Sequence, residues 1–263
     1  MVPTHAFHWN VDPILVRFGP LAIRWYGLFF ATAFLVGFWI AEWIYRRERK
    51  DTHLLDSLLM YMLVGAVVGA RLGHVVFYDP QYYFTHPMDI VKIWEGGLAS
   101  HGGAVGILFA LYLYTRRRGS PRYLWLLDRV VIPTALGGCF IRLGNLFNSE
   151  IVGTPTSGWW GVVFDRVDLV PRHPVQLYEA LAYLLVFLVL LWVYTRREEV
   201  PREGLLLGLF LVLVFSARFL LEFAKTPQAE YEAGFLLTVG QMLSVPFIIA
   251  GVVLILRARK EMR

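Results

Sequence analysis

Seven stretches of this chain are each about as long and as apolar as a helix must be to cross a bilayer, roughly 20 residues. They cover residues 21–44, 54–78, 97–115, 124–146, 175–195, 204–224 and 235–257. Inside hydrocarbon every backbone N–H and C=O has to be satisfied within the protein, so spanning segments are helices or closed barrels. Continuous apolar runs of this length, with no two-residue alternation, select helices. The expected fold is an all-α integral membrane protein, a seven-transmembrane-helix bundle of one domain over residues 1–263, with a small outer loop region at 147–174. A hydrophobic share of 57% agrees with that class. Asp128, Arg129, Pro133 and Arg142 interrupt the fourth run, so a six-span form with a re-entrant fourth segment stands beside the seven-span one.

The basic residues give the bundle a direction. Arg46, Arg47, Arg49 and Lys50 follow the first run, and Arg116, Arg117, Arg118 and Arg122 follow the third. Arg196, Arg197 and Arg202 follow the fifth, and Arg257, Arg259, Lys260 and Arg263 follow the seventh. The opposite loops carry only Lys92, Arg166, Arg172 and Lys225. Cytoplasmic loops concentrate Lys and Arg, which predicts an outside N-terminus and a cytoplasmic C-terminus. This alternation requires the fourth run to span. A net charge of +5 could point to nucleic acid, but its confinement to short clusters between apolar runs argues for topology and no nucleic-acid partner. MVPTHAFHWNVDP lacks a basic n-region and a short apolar core, so the first run is expected to be a retained span. The single cysteine, Cys139, can form neither an internal disulfide nor a thiolate metal site alone, and no metal or cofactor is expected. Gly, Pro, Thr and Ser before WWGVVFD suggest a structured outer loop with a hairpin at the interface. Gly65, Gly69 and Gly73 have the four-residue spacing of closely packed helices.

Polar residues gather at the predicted outer ends of the runs. Tyr26 begins the first, Arg71 and His74 lie in the second, and His101 opens the third after EGGLAS. Arg142, Asn145, Asn148 and Glu150 close the fourth within IRLGNLFNSE. His173, Gln176, Tyr178 and Glu179 begin the fifth; Arg218 and Glu222 end the sixth; Gln241 lies in the seventh. Ionisable groups at membrane depth are costly to place and mark function. Their common depth predicts one polar chamber in the outer half of the bundle. Simpler roles are open for each. Arg218 and Glu222 stand i,i+4 and can pair, Arg71 can snorkel or neutralise an acid, and Tyr26 can serve as an interfacial aromatic. Glu179 can be a structural carboxylate, Asp128 and Arg129 a local ion pair or a topology signal, and His74 a packing residue. The glycines around His101 let a backbone or a ligand approach closely, but HGGAVG is no phosphate loop. Arg142 and Arg218 without obvious acidic excess suggest an anionic ligand, and the planar guanidinium suits phosphate. At this depth that phosphate would belong to a lipid headgroup, with a histidine able to move a proton near neutrality.

WYG at Trp25, GARLGHVVFYD from Gly69, EGGLASHGG from Glu95, RLGNLFNSEIVG from Arg142, RHPVQLYE from Arg172, SARFLLEF from Ser216 and GQMLSVP from Gly240 resemble, in order and over nearly the whole chain, the prolipoprotein diacylglyceryl transferases. The resemblance implies a multi-pass enzyme of the bacterial inner membrane, with its N-terminus periplasmic and its C-terminus cytoplasmic. It implies phosphatidylglycerol and preprolipoprotein signal peptides with a lipobox cysteine as substrates, among the membrane lipids, and no cofactor. His101, Arg142, Arg218 and Tyr26 are then expected to be catalytic. Arg142, Asn145, Asn148, Glu150, Gly153, Arg218, Glu222 and Arg71 are expected to bind substrate. Ile141 stands where the family commonly has glycine, and Val214 where many members have tyrosine, so no role for that tyrosine carries over. The alternative of another class is a phospholipid-binding transporter or flippase, which would use the same arginines without chemistry.

Overall fold

The computed structural model describes residues 7–19, 21–196, 201–226 and 237–260. Arg197, Arg263 and the first two residues of the seventh apolar run lie outside the described residues. Among the described residues the helices are α1 (Trp25–Arg47), α2 (Leu54–Phe77), α3 (Pro80–Thr85), α4 (Ser100–Thr115), α5 (Tyr123–Asn148), α6 (Val175–Arg196), α7 (Leu205–Leu221) and α8 (Val239–Lys260). Strands β1 (Phe7–Trp9), β2 (Ile14–Phe18), β3 (Leu21–Arg24), β4 (Val162–Phe164) and β5 (Pro171–Arg172) complete it. Six helices, α1, α2, α5, α6, α7 and α8, are long and apolar enough to cross a membrane.

Two expectations change here. The third apolar run becomes α4, 16 residues long, or about 24 Å at the usual rise, short of the ~30 Å hydrocarbon core. Gly96 and Gly97, both with positive φ, end the preceding turn before a helix can start. The first run loses its opening residues to β3, which pairs antiparallel with β2, and α1 begins only at Trp25. The fourth run, with all its interruptions, is one continuous helix of 26 residues, so no re-entrant break occurs there.

The chain forms two compact units. One comprises residues 42–127. In it α2 and α4 pack antiparallel through glycine: a Cβ built on Gly69 would stand 2.5 Å from the Gly102 carbonyl oxygen and 2.6 Å from the Gly106 Cα. The helix backbones touch, so Gly102 and Gly106 of the HGGAVG segment serve packing. Tyr114 near the end of α4 donates to the Leu54 carbonyl at the start of α2, at 3.2 Å.

The other unit comprises residues 1–41 and 128–263. Asp128 on α5, fully buried, accepts from the backbone N–H groups of Gly204 and Leu207 at 3.0 and 2.8 Å. Gly204 is the N-cap of α7 and has no side chain to cap with, so a carboxylate from another helix satisfies those free donors. Arg129 completes the device, donating to Asp128 at 3.0 Å and to the Pro201 carbonyl at 3.1 Å. The expected local ion pair is therefore present, with capping as its further use. Above the end of α5, β1 runs parallel to β4, which pairs antiparallel with β5. This is the expected structured loop, with an N-terminal strand added. Leu146, Val162 and Phe164 form its core, with Trp9 and Val152 packed on it.

Candidate active site

The last turns of α5 sort their side chains by helical spacing. Arg142 and Asn145 lie three residues apart on one face, and Leu146 turns into the loop core. The helix then stops in a Schellman geometry. Ser149 N–H donates to the Leu146 carbonyl at 3.0 Å and Glu150 N–H to the Asn145 carbonyl at 2.9 Å, with Ser149 at φ 55°. The two positions that usually make an apolar contact in this cap are Asn145 and Glu150. They make a polar one: Asn145 Nδ2 donates to Glu150 Oε2 at 3.1 Å. Asn148 Nδ2 donates to Glu150 Oε1 at 3.1 Å, and Gln176 Nε2 to the Glu150 carbonyl at 2.6 Å. Buried beside them, Asn148 Oδ1, Ser149 Oγ and Gln176 Oε1 have no hydrogen-bond partner among the described residues. The cluster thus keeps unused polar capacity next to Glu150.

Arg142 joins this cap to α6. Its Nη1 donates to Asn145 Oδ1 at 3.2 Å, and its Nε lies 3.0 Å from Oε2 of Glu179, whose side chain is 1% exposed. Lys225 Nζ lies 2.8 Å from the other Glu179 oxygen and 3.1 Å from Glu222 Oε2. Tyr183 on α6 lies close to the Arg142 side chain. Tyr26, at the start of α1, packs against Gly144, where an added Cβ would come within 2.8 Å of its ring. An unbroken polar chain therefore runs Asn148–Glu150–Asn145–Arg142–Glu179–Lys225–Glu222. In a medium of low dielectric each ion pair is strong and each unpaired charge costly.

Gly153 belongs to this unit by packing. Its N–H donates to the His173 carbonyl at 3.0 Å and it bridges to Lys225. A Cβ there would stand 2.6 Å from the His173 carbonyl oxygen and 2.7 Å from that of Ala224. The close approach of three backbones demands glycine.

The expected pairing of Arg218 with Glu222 does not form. Glu222 starts a 3-10 turn after α7 and turns to Lys225. Arg218, half-buried one turn earlier, has no ion pair or side-chain hydrogen bond among the described residues. The carboxylates Glu150, Glu179 and Glu222 equal the cations Arg142, Lys225 and Arg218 in number, so there is no acidic excess here, and Glu179 and Glu222 are the two that form ion pairs. Arg142 is committed to Glu179, and of these three cations Arg218 is the one without an ion pair among the described residues.

Arg71, His74 and His101 lie in the other unit. Arg71, 5% exposed, spends its guanidinium on backbone carbonyls: Ile90 at 2.8 Å, Asp89 at 2.5 Å, Gly96 at 2.7 Å and Gly97 at 3.2 Å. It also stacks over the Tyr83 ring at 5.0 Å. It holds the turn that leads into α4. His101 is exposed on the first turn of α4, with no side-chain partner among the described residues. His74 stacks on Tyr78, in keeping with packing.

Sequence reasoning missed Lys225, taken there as an outer-loop charge, and Tyr183, which nothing singled out. The i,i+3 spacing of Glu222 and Lys225 was the available signal for the first.

A family model described as prolipoprotein diacylglyceryl transferase matches residues 13–257. A phosphatidylglycerol–prolipoprotein diacylglyceryl transferase of Tolumonas auensis is 58% identical over 96% of this chain and 98% of its own length. Proteins of the same name from Chloroherpeton thalassium and Porphyromonas gingivalis are 51% and 46% identical, each over 96% of this chain and 94% and 95% of their own.

Proposed function

The chain belongs to the prolipoprotein diacylglyceryl transferase family, and from that membership we propose how its residues carry out the reaction. The reaction moves the diacylglyceryl group of phosphatidylglycerol to a prolipoprotein. The acceptor is the thiol of the lipobox cysteine in the signal peptide, and glycerol phosphate leaves. The sulfur attacks C3 of the diacylglyceryl unit, an S–C bond forms, and the C–O bond to phosphate breaks with its electron pair on oxygen. The thiol gives up its proton to a base, because the thiolate is the nucleophile. His101 fills that role through the basic nitrogen of its imidazole, with Tyr26 as the alternative acceptor. The departing phosphate gains one negative charge, which a prepositioned cation stabilises.

The polar chain from Asn148 to Glu222, set among apolar helices, is the observation that carries the reading. One turn before Glu222 on α7, Arg218 has no ion pair among the described residues and is the cation that takes the leaving phosphate. Arg142, held by Glu179 and Asn145, presents an oriented guanidinium to the headgroup, and Asn145, Asn148, Glu150 and Glu222 shape that side. Gly153 and Arg71 act by holding backbone in place. The multi-pass protein would reside in the bacterial inner membrane, with seven crossings that include α4. Support for the seventh crossing comes from α4 running back along α2, which returns Arg116, Arg117 and Arg118 to the end where α2 starts.

Purified protein, phosphatidylglycerol and a lipobox peptide should yield a peptide heavier by one diacylglyceryl unit, with glycerol phosphate released. Arg218→Ala should lower the rate by about 100-fold or more. An intact lipid with no mass shift on the peptide would favour transport over transfer and sink the proposal.

A further inference from the structure

Lys225 enters the polar chain from outside the helices. Thr154 N–H donates to the Ala224 carbonyl at 2.9 Å and Thr226 Oγ1 to the Val152 carbonyl at 2.6 Å. With the Gly153–Lys225 bridge between them, these bonds pin the segment after α7 to the outer loop. The Lys225 side chain turns inward and is only 7% exposed. Its ammonium joins two carboxylates, Glu179 at 2.8 Å and Glu222 at 3.1 Å, and Glu179 in turn holds Arg142 at 3.0 Å.

We propose that Lys225 is a positioning residue for the transfer reaction, acting through Glu179 on Arg142. By occupying one oxygen of Glu179 it leaves Arg142 only the other, so the guanidinium engages by Nε and keeps its Nη1 bond to Asn145. Without the ammonium both Glu179 oxygens are open. A guanidinium matches a carboxylate with two parallel bonds, so Arg142 would spend Nη2 as well as Nε on Glu179, and that donor would be lost to the headgroup. Glu222 would at the same time become a partly buried charge without a partner. The proposal rests on the reading of Arg142 as a headgroup ligand.

Lys225→Met in the full-length protein should lower kcat/KM by about 100-fold, chiefly through a higher KM for phosphatidylglycerol. Lys225→Arg, which keeps the bridging charge, should restore most of it. In an Arg142→Lys background, where no fork can form, Lys225→Met should add little further loss. Lys225→Gln is the second variant, with the same expected loss, where the methionine protein does not fold in detergent. Wild-type kinetics in Lys225→Met or Lys225→Gln would overturn the proposal, as would an equally large Lys225 effect in the Arg142→Lys background. Arg142→Ala marks the other failure: full activity there would overturn the headgroup role of Arg142 and the proposal with it.

Discussion

Glu150 is flanked by two residues in the left-handed backbone region, Ser149 at φ 55° and Ile151 at φ 56°. Neither is glycine, and the second is β-branched, for which this region is a genuine outlier. Such strain costs of order 1–3 kcal/mol per residue and persists only where neighbours over-determine it. Here Asn145 and Asn148 donate to the two oxygens of the Glu150 carboxylate, and Gln176 donates to its backbone carbonyl, so side chain and backbone are both held. Gly153 shows the same logic in the packing of backbones. Gly153→Ala would place a methyl against two carbonyl oxygens, push the segment carrying Lys225 outward and open the Lys225–Glu179 pair. The expected outcome is a transfer rate reduced at least tenfold and a stability loss of about 1–3 kcal/mol, read from product mass and thermal unfolding in detergent. At this scale the sequence already singled out Arg142, Asn145, Glu150 and Gly153, because ionisable and glycine residues are conspicuous in apolar surroundings. Their partners were less legible. Arg218 and Glu222 have ideal helical spacing, yet α7 ends at Leu221 and the turn that follows hands Glu222 to Lys225.

Helix placement was largely legible, because length and hydropathy decide it locally. α2, α5 and α6 begin and end within two residues of the expected runs. The N-terminal hairpin was not, since Leu21 to Arg24 continue the apolar run in composition and only strand pairing separates them from α1. The junction of α5 with α7 was also hidden, because a cap is expected on the capped element itself. Asp128→Ala would strip two N–H groups of α7 of their acceptor and remove the Asp128–Arg129 ion pair from a buried site. A loss of about 3–5 kcal/mol follows, visible as a lower unfolding temperature, with Asp128→Asn intermediate. In the outer loop, Arg172 hydrogen-bonded to Asp168 at 2.5 Å holds that carboxyl below its usual range. A lowered folded-state pKa contributes stability above the ordinary carboxylate value, near 4, and loses it as pH falls through the folded value. The unfolding temperature in detergent should therefore lose this contribution as pH falls below about 4. Asp168→Asn should remove that acid change.

For the whole molecule, crossing number and sidedness follow from how α4 is used. Cys139 is the sole cysteine and is buried, so single cysteines introduced elsewhere report without interference. Cysteines at Arg118 and Arg202 should react with a membrane-impermeant thiol reagent only from the cytoplasmic side, and one at Trp159 only from the outside. Labelling of Arg118→Cys from outside would reduce the crossings to six. The sequence by itself determined that this chain is a set of membrane-length helices with polar groups at their ends. Hydropathy and charge act on the bilayer residue by residue and need no knowledge of neighbours. It also determined the family, because the motifs are local strings in a fixed order. Only the tertiary structure decided which charge meets which. Glu179 joins Arg142 from α5 to Lys225 from the turn beyond α7, and Arg218 has no ion pair among the described residues. Ion pairing falls off over a few ångströms, and the distances that govern it are set by the packing of helices far apart in sequence.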